Sequence, residues 1–320
     1  MLNSQFLGRA ARWVGRNLYQ PVMLSILSHY PVGMNVYDRE WDLLILLDTC
    51  RTDALQEVAS DYDFIENVNS IFSVGSSSLG WMCATFDQDN GEDIEKTAYI
   101  SANGWAGRIL QDRKTPVDHE NPPFAWTDYT PAKHDKFGLL DHAWQYEPEG
   151  VYEHEEGYTP ARYVTERAIS VSRDDSLEFE RTILHYNQPH SPYTAKAFEE
   201  DRELKPHESD PFEYLRSGGD KEVVWESYIY ELRAVLDEVE LLLENVDAES
   251  VVISADHGEA FGEMGIYGHP TTVLHPVIRN VPWVQTTASD KCTHTPEITP
   301  VDGNGQSAMD NLKALGYVDS

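Results

Sequence analysis

VVISADHGEAFGEMGIYGH, residues 251–269, opens on an apolar run and stops at an acid and an imidazole. Val251-Val252-Ile253 is what a parallel strand buried on both faces requires, since neither face of such a strand meets water. Ligands of open α/β sheets gather where strands end, at the carboxyl edge. Asp256 and His257 at that edge offer a carboxylate and a ring nitrogen, a donor pair for a divalent metal. Gly258 follows, and Gly268-His269 brings a second imidazole further along. The plainer alternative is a strand-to-turn junction in which Asp256 caps a helix and Gly258 supplies the turn.

Composition narrows the class. Among 320 residues there are 24 basic and 55 acidic side chains, for a net charge of −31. The acids are dispersed rather than gathered in one tail, and lysine (9) is scarcer than arginine (15). Such a surface reads as adapted to high salt, where screening shortens self-repulsion, and predicts a halophilic, archaeal source. It argues against nucleic acid, and against an anionic membrane met through the domain surface, as a partner. Cys50, Cys83 and Cys292 make no disulfide framework and no Cys-x-x-Cys pair, so free thiols are expected. No apolar run reaches the ~20 residues of a membrane span. Arg9, Arg12 and Arg16 break up any secretory core, so a cytoplasmic location is expected.

Residues 1–37 stand apart. They hold three arginines and no acid, so they carry +3 and the remainder −34. At helical spacing Phe6, Ala10, Trp13, Val14 and Leu18 share one side. Two outcomes follow: a helix docked on its own acidic domain, which we favour, or contact of residues 1–20 with the inner membrane face. The expected organisation is an N-terminal appendage, 1–37, and one domain, 38–320.

Working back from residue 251, Lys221–Asn245 is the clearest helix, with Val224, Tyr228, Leu232, Val235, Val239 and Leu242 in one stripe. Leu43–Leu47 is a second fully apolar run, ending at Asp48, with Arg51 and Asp53 opening a helix. Asp48 is either a helix cap or a second strand-end acid. Strands are also expected at residues 71–74, 97–100, 178–185 and 281–284, and helices at 79–86, 159–173 and 310–317. Gly75-Ser76-Ser77-Ser78 is a turn of small residues before the first of these helices. A serine there is ordinarily a cap, but a hydroxyl at a helix N-terminus also faces amides that favour an anionic substrate. Residues 111–158 have no steady period and read as a long loop walling the substrate, with His119, His134, His142 and His154 on the surface.

Taken in order, the Asp48 strand end with Arg51 and Asp53, the serine turn, the Pro189-His190-Ser191-Pro192-Tyr193 turn and Asp256-His257-Gly258-Glu259 resemble the motifs of the alkaline-phosphatase/sulfatase superfamily, in particular haloarchaeal sulfatase-like and phosphoglycerol-transferase-like proteins. The resemblance implies a three-layer α/β/α sandwich with a largely parallel central sheet. It implies one divalent metal (manganese, zinc, calcium or magnesium) held by Asp48, Ser78, Asp256 and His257. Ser78 aligns with the nucleophile, with Ser77 and Ser76 as rivals. His190 and His269 would stabilise transferred oxygens or protonate the leaving group; whether they hold a second metal stays open. Arg51 would support the site from behind, and His185 would be structural. The Cys/Ser-x-Pro-x-Arg signature that precedes formylglycine is absent, so the nucleophile is a plain hydroxyl, chemistry used more on phosphoryl than on sulfuryl esters. The expected activity is hydrolysis or transfer of a small-molecule, glycan- or lipid-linked phosphate or sulfate ester through a covalent intermediate. Alternatives are a sulfatase acting on cell-surface glycans and a relative that binds metal or glycan without catalysis.

Overall fold

A computed structural model describes residues 14–120, 122–148 and 159–300. Its strands are β1 (Leu43–Leu47), β2 (Asn69–Phe72), β3 (Thr97–Ser101), β4 (Leu139–His142), β5 (Tyr146–Pro148), β6 (Arg181–Tyr186), β7 (Ala248–Ser254), β8 (Ala260–Phe261), β9 (Tyr267–Gly268), β10 (Asn280–Ala288) and β11 (Ile298–Pro300). Seven of them form one sheet in the order β2-β10-β7-β1-β6-β3-β4. Every pairing from β7 to β4 is parallel; β10 alone runs against its neighbours β7 and β2.

The unbroken apolar run of β1 has its reason in the two cores. Leu43, Ile45 and Leu47 enter one core with the 221–243 helix residues Val224, Leu232, Val235 and Val239, while Leu44 and Leu46 enter the other with Trp81, Met82, Tyr99 and Trp105. Both faces of the central strands are therefore covered, giving the layered α/β/α arrangement with a mostly parallel sheet. Helices Ala161–Ser172 and Lys221–Leu243 lie on the first face. Helix Ser78–Thr85 lies on the second.

Register then decides which side chains meet. β1 pairs Leu46 with Ser254 of β7 and Leu47 with Tyr186 of β6, and β3 pairs Ser101 with His185. One or two residues past these pairs, at the carboxyl edge, come Asp48, Asp256, Asn187 and Asn103. Chain reversal at the first of these is tight: Thr49 has φ 66°, a left-handed conformation that costs a non-glycine residue on the order of 1 kcal/mol. The buried Tyr228 hydroxyl, from the long helix, donates to Thr49 O (2.8 Å) and accepts from Arg51 N (2.9 Å), bracing the turn.

Two expectations need correcting. Residues 111–158 are not one structureless loop, because β4 lies within them and closes one edge of the sheet. His142, at the end of β4, is not a surface residue: it is buried, its Nε2 lies 2.8 Å from Gln111 Nε2, and it stacks on Trp144. His119 is half-buried against Trp105, whereas His134 is exposed. His154, the 310–317 helix and the apolar positions Phe6, Ala10 and Trp13 lie outside the described residues.

The turn before helix 78–85 is packed without slack. A Cβ on Gly75 would fall inside contact distance of the Trp81 backbone, whereas one on Gly91 would meet nothing within 4 Å. Gly75→Ala should therefore cost about 1–3 kcal/mol by overpacking. Gly91→Ala should be neutral or stabilise by up to ~1 kcal/mol. Urea melts of the two variants decide this, and equal midpoints would refute it.

Candidate active site

Four strand ends and one helix start build the site. Asp48, Asp256 and His257, all fully buried, place one ligand atom each within 4.8 Å of one another. His257 Nε2 lies 3.5 Å from Asp48 Oδ1 and 3.4 Å from Asp256 Oδ2. Ser78, the first residue of its helix, brings Oγ to 3.3 Å from both Asp48 Oδ2 and His257 Nε2. Its two neighbours are engaged elsewhere. Ser77 caps the helix by accepting from Gly80 N, and Ser76 Oγ donates to Pro270 O.

Orientation of the imidazole is fixed from behind. His257 Nδ1 is 3.0 Å from Gly258 O, and a carbonyl can only accept, so Nδ1 carries the proton and the Nε2 lone pair faces the carboxylates. Burial would push the Asp256 carboxyl up, yet His257, His185 and the Ser78 hydroxyl hold it well below the usual range. Burial holds His257 down, at about 4, so its ring is neutral. Among the described residues Asp256 Oδ2 makes no hydrogen bond, and a buried carboxylate oxygen left so is costly unless a cation takes it up. Two carboxylates, a neutral ring nitrogen and a hydroxyl oxygen converging on one point fit a divalent metal.

A second cluster adjoins the first. His190, Glu259 and His269 also bring ligand atoms within 4.8 Å. His269 Nδ1 is 3.1 Å from Glu259 Oε1, and its ring centroid is 4.4 Å from that of His257 and 5.1 Å from that of His190. His190 is held by its own turn, Nδ1 lying 2.5 Å from Ser191 O. Its donor set, two imidazoles and a carboxylate, likewise suits a divalent cation. Thus all six residues named from the sequence, Asp48, Ser78, His190, Asp256, His257 and His269, fall at one rim.

Three neighbours were not placed in the site from sequence. Asn103 Nδ2 donates to Asp48 Oδ2 at 2.8 Å, fixing that carboxylate from the end of β3. His185, expected to be structural, touches Tyr99 Oη through Nδ1 (2.9 Å) and faces Asp256 Oδ2 through Nε2 (3.5 Å). Glu259 joins the second cluster. A polar residue just beyond a buried strand was the available signal for Asn103. Arg51 stands behind the rim: it pairs with Asp53 (2.6 Å) and Glu263 (3.0 Å), and its Nη1 donates to Glu259 O (3.1 Å).

Gly258 separates the clusters. Its N–H donates to Ile278 O at 2.6 Å, and a Cβ would stand 2.5 Å from Val277 O. Only glycine allows the chain this approach.

Titration follows from burial. Desolvation lowers His190 to about 3 and His269 to about 4, and raises Glu259 to about 7. In the metal-free chain the three rings of His190, His257 and His269 stay neutral down to about pH 4, while in the unfolded chain they protonate near 6.5. Between these values the unfolded state binds more protons, so stability falls as pH falls. Glu259 opposes this with one proton held by the native state between 4.5 and about 7. Three against one leaves a slope on the order of 2 kcal/mol per pH unit around pH 5.5. Urea titrations after chelation should show that loss, and a flat profile would contradict the neutral-ring assignment.

No protein-family model and no curated protein matches the sequence. Solved structures do. The soluble domain of lipooligosaccharide phosphoethanolamine transferase A from Neisseria meningitidis matches over 79% of this chain and 77% of that one, at 14% identity and TM-score 0.50. The C-terminal periplasmic domain of EcEptC from Escherichia coli, a zinc complex, matches over 87% and 88%, at 11% identity and TM-score 0.44. A 2-O GAG sulfatase, BT1596, matches over 87% and 71%, at 14% identity and TM-score 0.43. The chain has the alkaline-phosphatase-like fold of the Neisseria transferase domain.

Proposed function

We propose that this chain is a metal-dependent transferase or hydrolase of phosphate esters, working through Ser78. One observation carries the proposal: the Ser78 hydroxyl, at a helix N-terminus, lies 3.3 Å from both Asp48 Oδ2 and His257 Nε2. Asp48, Ser78, Asp256 and His257 would hold the cation, with Asn103 steadying Asp48. Bound there, a divalent ion supplies positive charge that favours the serine alkoxide and draws electron density from ester oxygens.

The side chains divide the remaining work. Ser78 Oγ, its proton lost to solvent, forms a bond to phosphorus as the bond to the departing alcohol breaks. The N-terminal end of the 78–85 helix, with its partial positive charge, favours the anionic group. His190 and His269 are neutral in the free protein, but an anionic ester beside them raises their affinity for a proton. One of them then gives that proton to the leaving oxygen. Water or an acceptor alcohol attacks the seryl ester next, losing its proton to the same side, and Ser78 is restored. Lipid- or glycan-borne esters are the substrate class we favour, and phosphate is preferred over sulfate because the nucleophile is an unmodified hydroxyl. The dispersed acidity places the assays in high salt.

The test is to incubate the chain with p-nitrophenyl phosphate, a phosphodiester and p-nitrophenyl sulfate, with each metal in turn, and quench in acid. Peptide mass spectrometry should find a phosphoryl adduct on Ser78. Turnover with an adduct on another residue, or with none, would overturn the assignment.

A further inference from the structure

Helix Gln20–His29 continues a wider π-helical turn, Gly15–Tyr19, into one rod. Its inner face is packed, with Pro21 and Leu24 buried. A surface helix ordinarily turns polar residues outward. Here the outward positions are apolar: Val14, Leu18, Val22 and Ile26 recur every fourth residue and are 46%, 55%, 41% and 47% exposed. Tyr30, beyond the end of the rod, is 75% exposed.

A separate segment extends this surface. Trp126 N donates to Ser25 Oγ (2.9 Å), Asp128 N donates to Ser28 Oγ (3.2 Å), and the Trp126 and His29 rings lie 4.7 Å apart. Trp126 is thus fastened to the helix while the residue stays 77% exposed, and Phe124 beside it is 55% exposed. A contiguous apolar surface with aromatic rings along it marks a contact site.

We infer that this surface, the 14–30 rod with Phe124 and Trp126, docks in the plane of an anionic phospholipid bilayer. Charge selects the occupant. Residues 1–37 carry +3 and no acid, while the rest of the chain carries −34. An anionic bilayer repels the acidic remainder and favours the basic segment that runs into the rod. Exposed Trp, Tyr and Phe suit the boundary between headgroups and acyl chains, where a ring meets apolar and polar surroundings at once. Among the described residues no helix is long and apolar enough to cross a membrane, which leaves contact in the plane.

The docking surface is tied to the catalytic rim. Tyr19 Oη donates to Thr272 O (3.3 Å), three residues past His269. Where the chain leaves the helix, the buried Arg279 guanidinium donates to both Val32 O and Ser73 O, and Met34 N donates to Phe72 O (2.7 Å). Ser73 lies between β2 and the Ser78 turn, so the surface and the nucleophile share one rigid support. This arrangement presents esters carried by the bilayer itself to the site. The docking inference stands on the surface alone and holds whatever bond Ser78 attacks.

The experiment is flotation of the full chain with phosphatidylglycerol/phosphatidylcholine vesicles, at the lowest salt at which circular dichroism shows it folded. Wild type should float, and Leu18→Glu/Ile26→Glu should float about tenfold less, since both additions place charge in the apolar contact. Because both positions are exposed, the variant should keep the wild-type melt. Failure of the wild type to float, or equal flotation of a folded variant, would overturn the inference. So would a wild-type dimer, seen by sedimentation equilibrium, that the variant splits while neither floats, since the surface would then belong to a second copy.

Discussion

Ser78→Ala should abolish the covalent adduct and lower turnover on the order of 10³-fold or more, while the melting curve stays close to wild type. The Oγ removed is small, and the helix cap it would otherwise threaten belongs to the preceding residue. Ser77→Ala is the matched control: it deletes the acceptor for Gly80 N and should cost about 1 kcal/mol of stability, with turnover largely kept. Ser76→Ala loses only a bond to Pro270 O and should do less on both counts. Stability and turnover are therefore expected to separate across three consecutive serines. Equal turnover losses at Ser77 and Ser78 would mean that the turn, rather than one hydroxyl, matters.

Asp256→Asn is the second large effect. The change keeps shape and removes charge from a carboxylate whose Oδ1 accepts from His257 N (2.9 Å) and whose Oδ2 faces the rings of His257 and His185. Metal retained after gel filtration, measured by elemental analysis, should fall at least ~10-fold, since the amide is a far poorer ligand for a hard or borderline cation. Turnover should fall with it. Without metal the variant loses the charge that His257, His185 and the Ser78 hydroxyl favour, so it should melt no higher than the metal-free wild type. With metal present the wild type alone gains from binding, by about 2.7 kcal/mol at a metal concentration a hundredfold above Kd. A variant that binds metal as wild type does would remove Asp256 from the ligand set.

What the sequence disclosed depended on how local each cause was. β1 and β7 could be read because strands covered on both faces leave an unbroken apolar run, and the polar residue ending such a run lies at the carboxyl edge. The long helix declared itself by its stripe from Val224 to Leu242. β4 could not be read, since Leu139-Leu140 is followed at once by Asp141 and His142, whose burial is made good by distant partners: Arg167 at 2.5 Å and Gln111 at 2.8 Å. Asn103 was hidden for the same reason, its carboxylate partner being 55 residues away in the chain. Which of three serines faces Asp48 was likewise a matter of helix phase, invisible in a run of identical residues.

Gly258 has one further consequence. Asp256 and His257 on one side of it and Glu259 on the other serve different clusters, yet they share a backbone pressed against Val277 O and bonded to Ile278 O. The two halves of the rim therefore cannot drift independently. Any substitution that lifts this backbone off its support tilts both sets of donors together, like two instruments bolted to one bracket. Asp256, His257, Gly258 and Glu259 therefore move as a single mechanical part.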